Sequence, residues 1–259
     1  MPPIGILHVP HSSTEIPADL RSSFLLAEDQ LRREVLRMTD WYTDELFALP
    51  AHEATTVRFP VSRLVVDPER FVDDAEEPMA GRGMGVIYTK TADGLPLRAL
   101  PSPQERQQLL DRFYHPHHQR LAGAVQGAME QHGGCLVIDC HSFPSVALPC
   151  DLDQAPDRPD ICIGTDAFHT PDWVASLAAE RFTAAGLTVA VNRPYSGALV
   201  PAEFCGRDRR VSSLMIEVSR GRYMQEDGGE KIAAFDDMAG VVQGVMRELL
   251  ERFRLTHHQ

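Results

Sequence analysis

Leu136-Val137-Ile138 runs directly into Asp139-Cys140-His141-Ser142, and the chain then breaks at Phe143-Pro144. The run reads as the end of an apolar strand. In an open α/β sheet, ligands bind where strands reach their carboxyl ends. A His delivered there by a rigid strand is placed to hold a metal or a proton. Taken alone, such a His is more often a structural residue at a strand-to-loop junction, so the weight rests on what the rest of the chain supplies.

Apolar segments with strand character recur at residues 4–9, 54–59, 63–66, 136–139, 161–164, 187–191 and 214–218. Helical patterns lie between them. One spans 28–49. A second spans 103–132 and is predicted to kink or break at Pro116. A third spans 171–185, with Pro171 suited to a first helical position and Gly186 to a C-cap. The last, at 229–253, is amphipathic. Strand and helix alternate to the end, which predicts an α/β fold: a three-layer α/β/α sandwich around a mixed, mainly parallel sheet. With no repeat, low-complexity tract or linker, residues 1–259 read as a single domain. Two stretches rich in Pro and Gly, 67–103 and 192–210, resist secondary structure and are candidates to wall a pocket. The Gly81-Arg82-Gly83-Met84-Gly85 run is no phosphate-binding fingerprint, because it does not join a strand to a helix.

Composition excludes some partners. The formal net charge of -12 argues against nucleic acid and anionic membranes, which call for basic patches. A local Arg cluster can still reverse the field inside a cleft and admit a small acidic substrate. No apolar run approaches the roughly 20 residues a membrane helix requires. The opening Met-Pro-Pro-Ile-Gly-Ile does not read as a signal peptide. Five cysteines, an odd number without CxxC spacing, read as reduced thiols in a cytoplasmic protein. Cys140 beside His141 is a conceivable nucleophile, but strand alternation points it away from Asp139 and His141.

The first strand ends in His8-Val9-Pro10-His11-Ser12-Ser13. His11 lies past Pro10, where the chain turns, and can face the same cleft as His141. His8 sits inside the strand three residues earlier, so it would point the other way, and it reads as a core or edge His. Two His from separate strand ends begin a zinc site, which in catalytic form takes three protein ligands and keeps one position open. Glu15, Asp40 and Asp44 are the nearby carboxylates. Asp40 and Asp44 would share a helical face at i, i+4, and each alone could equally be a solvated acid or a cap. Glu217 stands inside the apolar strand Leu214-Met215-Ile216-Glu217-Val218. A buried carboxylate must be paired, metal-bound or protonated, so Glu217 is either an ion-pair partner of an Arg such as Arg220 or a general base. Arg63, Asp67 and Arg70 form a charged set suited to gripping carboxylates, with a surface salt bridge as the plainer reading.

Taken together, these residues resemble the N-formylglutamate amidohydrolase family over about residues 4–250. The carriers are Val9-Pro10-His11-Ser12, Asp40-Trp41-Tyr42-Thr43-Asp44, Ser62-Arg63-Leu64-Val65-Val66-Asp67, Asp139-Cys140-His141-Ser142, Asn192-Arg193-Pro194-Tyr195-Ser196-Gly197 and Ile216-Glu217-Val218. Each is weak alone; their order is specific. The family is similar in fold to zinc carboxypeptidases, which also carry a His-Ser pair at a strand end and a late catalytic Glu.

The resemblance implies one zinc per chain, held by His11, His141 and a carboxylate, with Asp40 favoured and His118 in reserve. The carboxypeptidase spacing of His and Glu fails here because position 14 is Thr. The His115-Pro116-His117-His118 cluster otherwise reads as a solvated kink. Glu217 would be the general base, with Arg63 assisting the oxyanion. Arg63, Arg70 or Arg193 would hold the carboxylates of a small acidic N-acyl amino acid. Asn192, Tyr195 and Ser196 would line the pocket, and Asp139 would orient a ligand. The implied reaction is N-formyl-L-glutamate to formate and glutamate, a step of histidine degradation. Another N-acyl amino acid or small peptide, a non-catalytic binding module, and a Cys140 hydrolase are the competing readings.

Overall fold

The computed structural model describes residues 1–257. A six-stranded sheet runs in the order β2-β1-β3-β6-β4-β5, built from β1 (Gly5–Val9), β2 (Ala54–Arg58), β3 (Cys135–Phe143), β4 (Ile161–Gly164), β5 (Val189–Val191) and β6 (Val211–Ser219). All neighbouring pairs are parallel except β4 with β6, so the sheet is mixed and mainly parallel. The two long central strands are buried at every residue, as expected of parallel strands covered on both faces.

The two faces are covered differently. Leu136, Ile138 and Cys140 of β3 pack with Leu214, Ile216 and Val218 of β6 against α6 (Phe235–His257) and α5 (Asp172–Ala184). Val137 of β3 and Ile6 of β1 pack against α4 (His115–His132) on the opposite face. Period-2 alternation therefore turns His8, Asp139, His141 and Glu217 towards the α4 side, near the strands' carboxyl ends.

Several segments differ from the sequence expectation. The 28–49 helix is two pieces, α1 (Glu28–Met38) and α2 (Thr43–Leu46). Between them the Asp40 amide donates to the His11 carbonyl at 3.0 Å, and Tyr42 adopts a left-handed φ of 61°. Asp40 and Asp44 thus share no helical face. Residues 63–66 are a turn rather than a strand, yet Leu64, Val65 and Val66 are fully buried in a second apolar cluster under the 67–103 loop. Pro116 does not break its helix. α3 (Pro103–Leu109) passes into α4 through one wide turn at Leu110–Tyr114. That leaves Pro116 in the first turn of α4, where its missing N–H costs little.

Candidate active site

His11 enters from the turn after β1, Asp40 from the break between α1 and α2, and His141 from β3. All three are buried. The Nδ1 atoms of His11 and His141 lie 3.5 and 3.1 Å from the same Asp40 oxygen, Oδ2. Ligands 2.0–2.1 Å from a tetrahedral zinc stand about 3.3 Å apart, so this spacing suits that ion. The His11 Nδ1 is buried and has no hydrogen-bond partner among the described residues. A buried polar atom left in that state is costly unless a cation completes it.

The far nitrogens of both rings meet carboxylates. His11 Nε2 is 2.8 Å from Asp67 Oδ1. His141 Nε2 is 3.1 Å from both Glu69 Oε2 and Asp139 Oδ1. The His11 contact is a hydrogen bond, whereas His141 Nε2 lies against its two carboxylates without a hydrogen bond to either; carboxylates so placed orient an imidazole whose Nδ1 ligates. Asp40 is itself held: its Oδ1 accepts from Arg220 at 3.0 Å and its Oδ2 from the Ser142 amide at 3.3 Å. Burial opposes ionisation of Asp40, but His11, His141 and Arg220 outweigh it and hold the carboxyl well below its usual range. Burial also opposes the charged form of His141, and Asp139 and Glu69 lift it well above 6.5 nonetheless.

Glu217 stands beside His141 in strand register. Its Oε2 is buried and has no hydrogen-bond partner among the described residues. Burial, with a contribution from the Asp40 charge, pushes its pKa up to about 8. Without a metal ion nearby it is largely protonated at neutral pH.

These groups line a cavity of about 260 Å³ together with Arg63, Arg70, Tyr195 and Ser196. Arg63 donates to Asp67 at 2.8 and 3.2 Å and stands 3.8 Å from Asp40. Among the described residues Arg70 makes only long ion pairs, 3.7 Å to Asp67 and 3.6 Å to Glu77, and its buried Nε has no hydrogen-bond partner. It is the lining guanidinium with most capacity for a ligand. Asn192 and Arg193 do not line the cavity. The exposed Asn192 bonds reciprocally with Thr165 at 2.9 and 2.8 Å, and Arg193 pairs with Asp157 at the surface. Both loops that resisted secondary structure do wall the cavity, one through Glu69, Arg70, Met79 and Met84, the other through Tyr195 and Ser196.

The remaining carboxylate and His candidates stand apart. Glu15 is exposed, Asp44 pairs with Arg58 at 3.3 Å, and His118 Nε2 is 2.8 Å from the Pro68 carbonyl. Cys140 faces the α6 side, and burial drives its thiol pKa well upward, which removes it as a nucleophile. Sequence reasoning missed Glu69, which touches His141; it read His8 correctly as a core His but pointed it away from the cleft, and it took His117 for part of a solvated kink. Both of these His are fully buried. His117 begins the stripe His117, Leu121, Val125, Ala128 that faces the sheet, and that helical spacing was the available signal.

A model of the N-formylglutamate amidohydrolase family matches residues 5–224. The crystal structure of N-formylglutamate amidohydrolase from Ralstonia eutropha JMP134 is similar at a TM-score of 0.86 and 25% identity, over 98% of this chain and 95% of that one. The gene product Atu2144 from Agrobacterium tumefaciens shares the fold at a TM-score of 0.65 and 20% identity, over 99% and 92% of the two chains. No curated protein matches the sequence.

Proposed function

Because this chain belongs to the N-formylglutamate amidohydrolase family, we propose that it is a zinc-dependent amide hydrolase that converts N-formyl-L-glutamate and water to formate and L-glutamate. That reaction ends one route of histidine degradation, and a cytoplasmic setting fits its unpaired cysteines. The observation that carries the metal reading is the trio His11, Asp40 and His141, whose ligand atoms lie within 4.8 Å of one another, with both Nδ1 atoms 3.1–3.5 Å from Asp40 Oδ2 and the His11 Nδ1 without a hydrogen-bond partner among the described residues.

Bound there, zinc would supply Lewis acidity and lower the pKa of water from 15.7 towards 7. The chain's own residues do the rest. Glu217 takes a proton from the attacking water and gives it to the leaving amine, so the C–N bond breaks as the carboxylate returns to its starting state. A neighbouring cation favours its ionised form and moves it from acid to base at neutral pH. Arg63 Nη1, held towards Asp40, faces the charge that grows on the formyl oxygen. Arg70 binds a substrate carboxylate through its unengaged N–H groups, as Arg is suited to do. Tyr195 and Ser196 close the wall. Met38, Met79, Met84 and Met215 also line the cavity. This favours, as a second reading, an N-acyl amino acid with an apolar side chain, since methionine walls adapt to such groups.

The test is formate release from N-formyl-L-glutamate and N-formyl-L-methionine, before and after chelation, with zinc measured on the same sample. Chelator-sensitive turnover with about one zinc per chain supports the mechanism, and the preferred substrate decides between the readings. Turnover that survives complete metal removal overturns it.

A further inference from the structure

Asp139 Oδ1 contacts not only His141. It also accepts from His8 Nδ1 at 2.8 Å, and the Asp139 Oδ2 accepts from the Leu199 amide at 3.2 Å. His8 Nε2 in turn lies 2.8 Å from His117 Nε2. The chain His117, His8, Asp139, His141 therefore runs from the head of α4, across β1, to β3. His8, His117 and Asp139 are essentially inaccessible to water, and His8 and Asp139 are register partners on adjacent strands.

The proton logic of this chain is constrained. Asp139 accepts a hydrogen bond from His8 Nδ1. The short separation of the two Nε2 atoms requires one proton between them. Burial pushes His117 down to about 2, so His117 is neutral and offers one donor or one acceptor there. Either way His8 cannot rotate without breaking a bond at each end, and Asp139 cannot turn from His141 without losing His8. When His141 Nδ1 ligates a metal, its Nε2 must carry hydrogen, and Asp139 stands ready to accept it.

We propose that His8 and His117 are positioning residues for the metal centre: they hold Asp139 in the orientation that fixes the ring of His141. The inference rests on the zinc reading of the site given above.

The experiment compares zinc affinity, by chelator competition on metal-free protein, with the melting temperature of the same metal-free protein and the absorption spectrum of its cobalt form. His8→Leu and His117→Phe remove the hydrogen bonds, while His8→Asn and His117→Gln keep a polar group near the bonding nitrogen. Expected is a loss of zinc affinity of roughly 10–100-fold in His8→Leu, a smaller loss in His117→Phe, an altered cobalt spectrum in both, and substantial rescue in the conservative variants. If His8→Leu does not fold, His117→Phe and His8→Asn carry the comparison. Unchanged affinity and spectrum in folded variants overturns the proposal even if melting falls, because His8 and His117 are then packing alone. Failure of the unaltered protein to bind zinc overturns the metal reading and this proposal together, and is distinguishable because the parent itself fails.

Discussion

Asp40 shows how much a single residue can be asked to do. One oxygen faces both imidazoles; the other accepts from Arg220, which also donates to the carbonyls of Arg37 and Ser142 at 2.6 and 3.2 Å. Removing the charge leaves a buried guanidinium short of its counter-ion, and breaking such a pair costs about 3–5 kcal/mol. Asp40→Asn is therefore expected to lose zinc and to melt well below the parent even without metal. Full zinc occupancy in that variant would place the third ligand elsewhere. Glu217→Gln makes the opposite pairing of outcomes. It touches no ligand by hydrogen bond, so zinc content stays at the parental level while turnover falls by roughly 100–10,000-fold, the usual contribution of a general base. Parallel zinc and rate measurements on the two variants separate ligand from base.

At the scale of elements, the strands were legible wherever an apolar run had nowhere to go but the core. Leu136 to Ile138 and Leu214 to Val218 are such runs, and both are central strands. Leu64-Val65-Val66 carries the same local signal but folds as a turn, because a second apolar cluster under the 67–103 loop buries it without a sheet. Local pattern records that a segment is buried, not which surface buries it. The His11–His141 pairing was legible because each His closes a strand. The His8–His117 contact was not, since its partners are 109 residues apart and no spacing rule joins them. The wall near Tyr195 depends on a backbone approach that is equally invisible in sequence. A Cβ on Gly164 at the end of β4 would fall on the Gly197 carbonyl oxygen and the Met215 methyl. Gly164→Ala must displace the backbone around Gly197 and the Met215 side chain, so KM is expected to rise and the melting temperature to fall while zinc content is kept. Steady-state kinetics check this; an unchanged KM would mean that Tyr195 and Ser196 do not contact substrate.

Across the whole molecule, a chain of formal net charge -12 concentrates Arg63, Arg70 and Arg220 around one small cavity and sets buried carboxylates among them. No described helix is long and apolar enough to cross a membrane, and within the cavity ionisation couples to stability. Burial raises Glu217 to about 8 in the folded, metal-free protein, against 4.5 in an unperturbed carboxyl. A raised folded pKa means that the native state binds the proton more tightly than the unfolded chain. Its stabilising contribution is therefore complete below pH 4.5 and is lost as pH rises through about 8. Over that window the metal-free protein must bury a carboxylate charge or unfold. Glu217→Gln removes this dependence. In metal-free protein the variant is expected to melt above the parent at pH 8, and that gap should close at pH 5. Zinc acts in the same direction on the parent, because a ligand that binds only the folded chain stabilises it and its charge favours ionised Glu217. The rise in melting temperature on adding zinc should thus be larger in the parent than in Glu217→Gln at pH 8. A variant–parent gap that stays constant between pH 5 and 8 would mean that Glu217 is not the group whose ionisation opposes folding of the empty site.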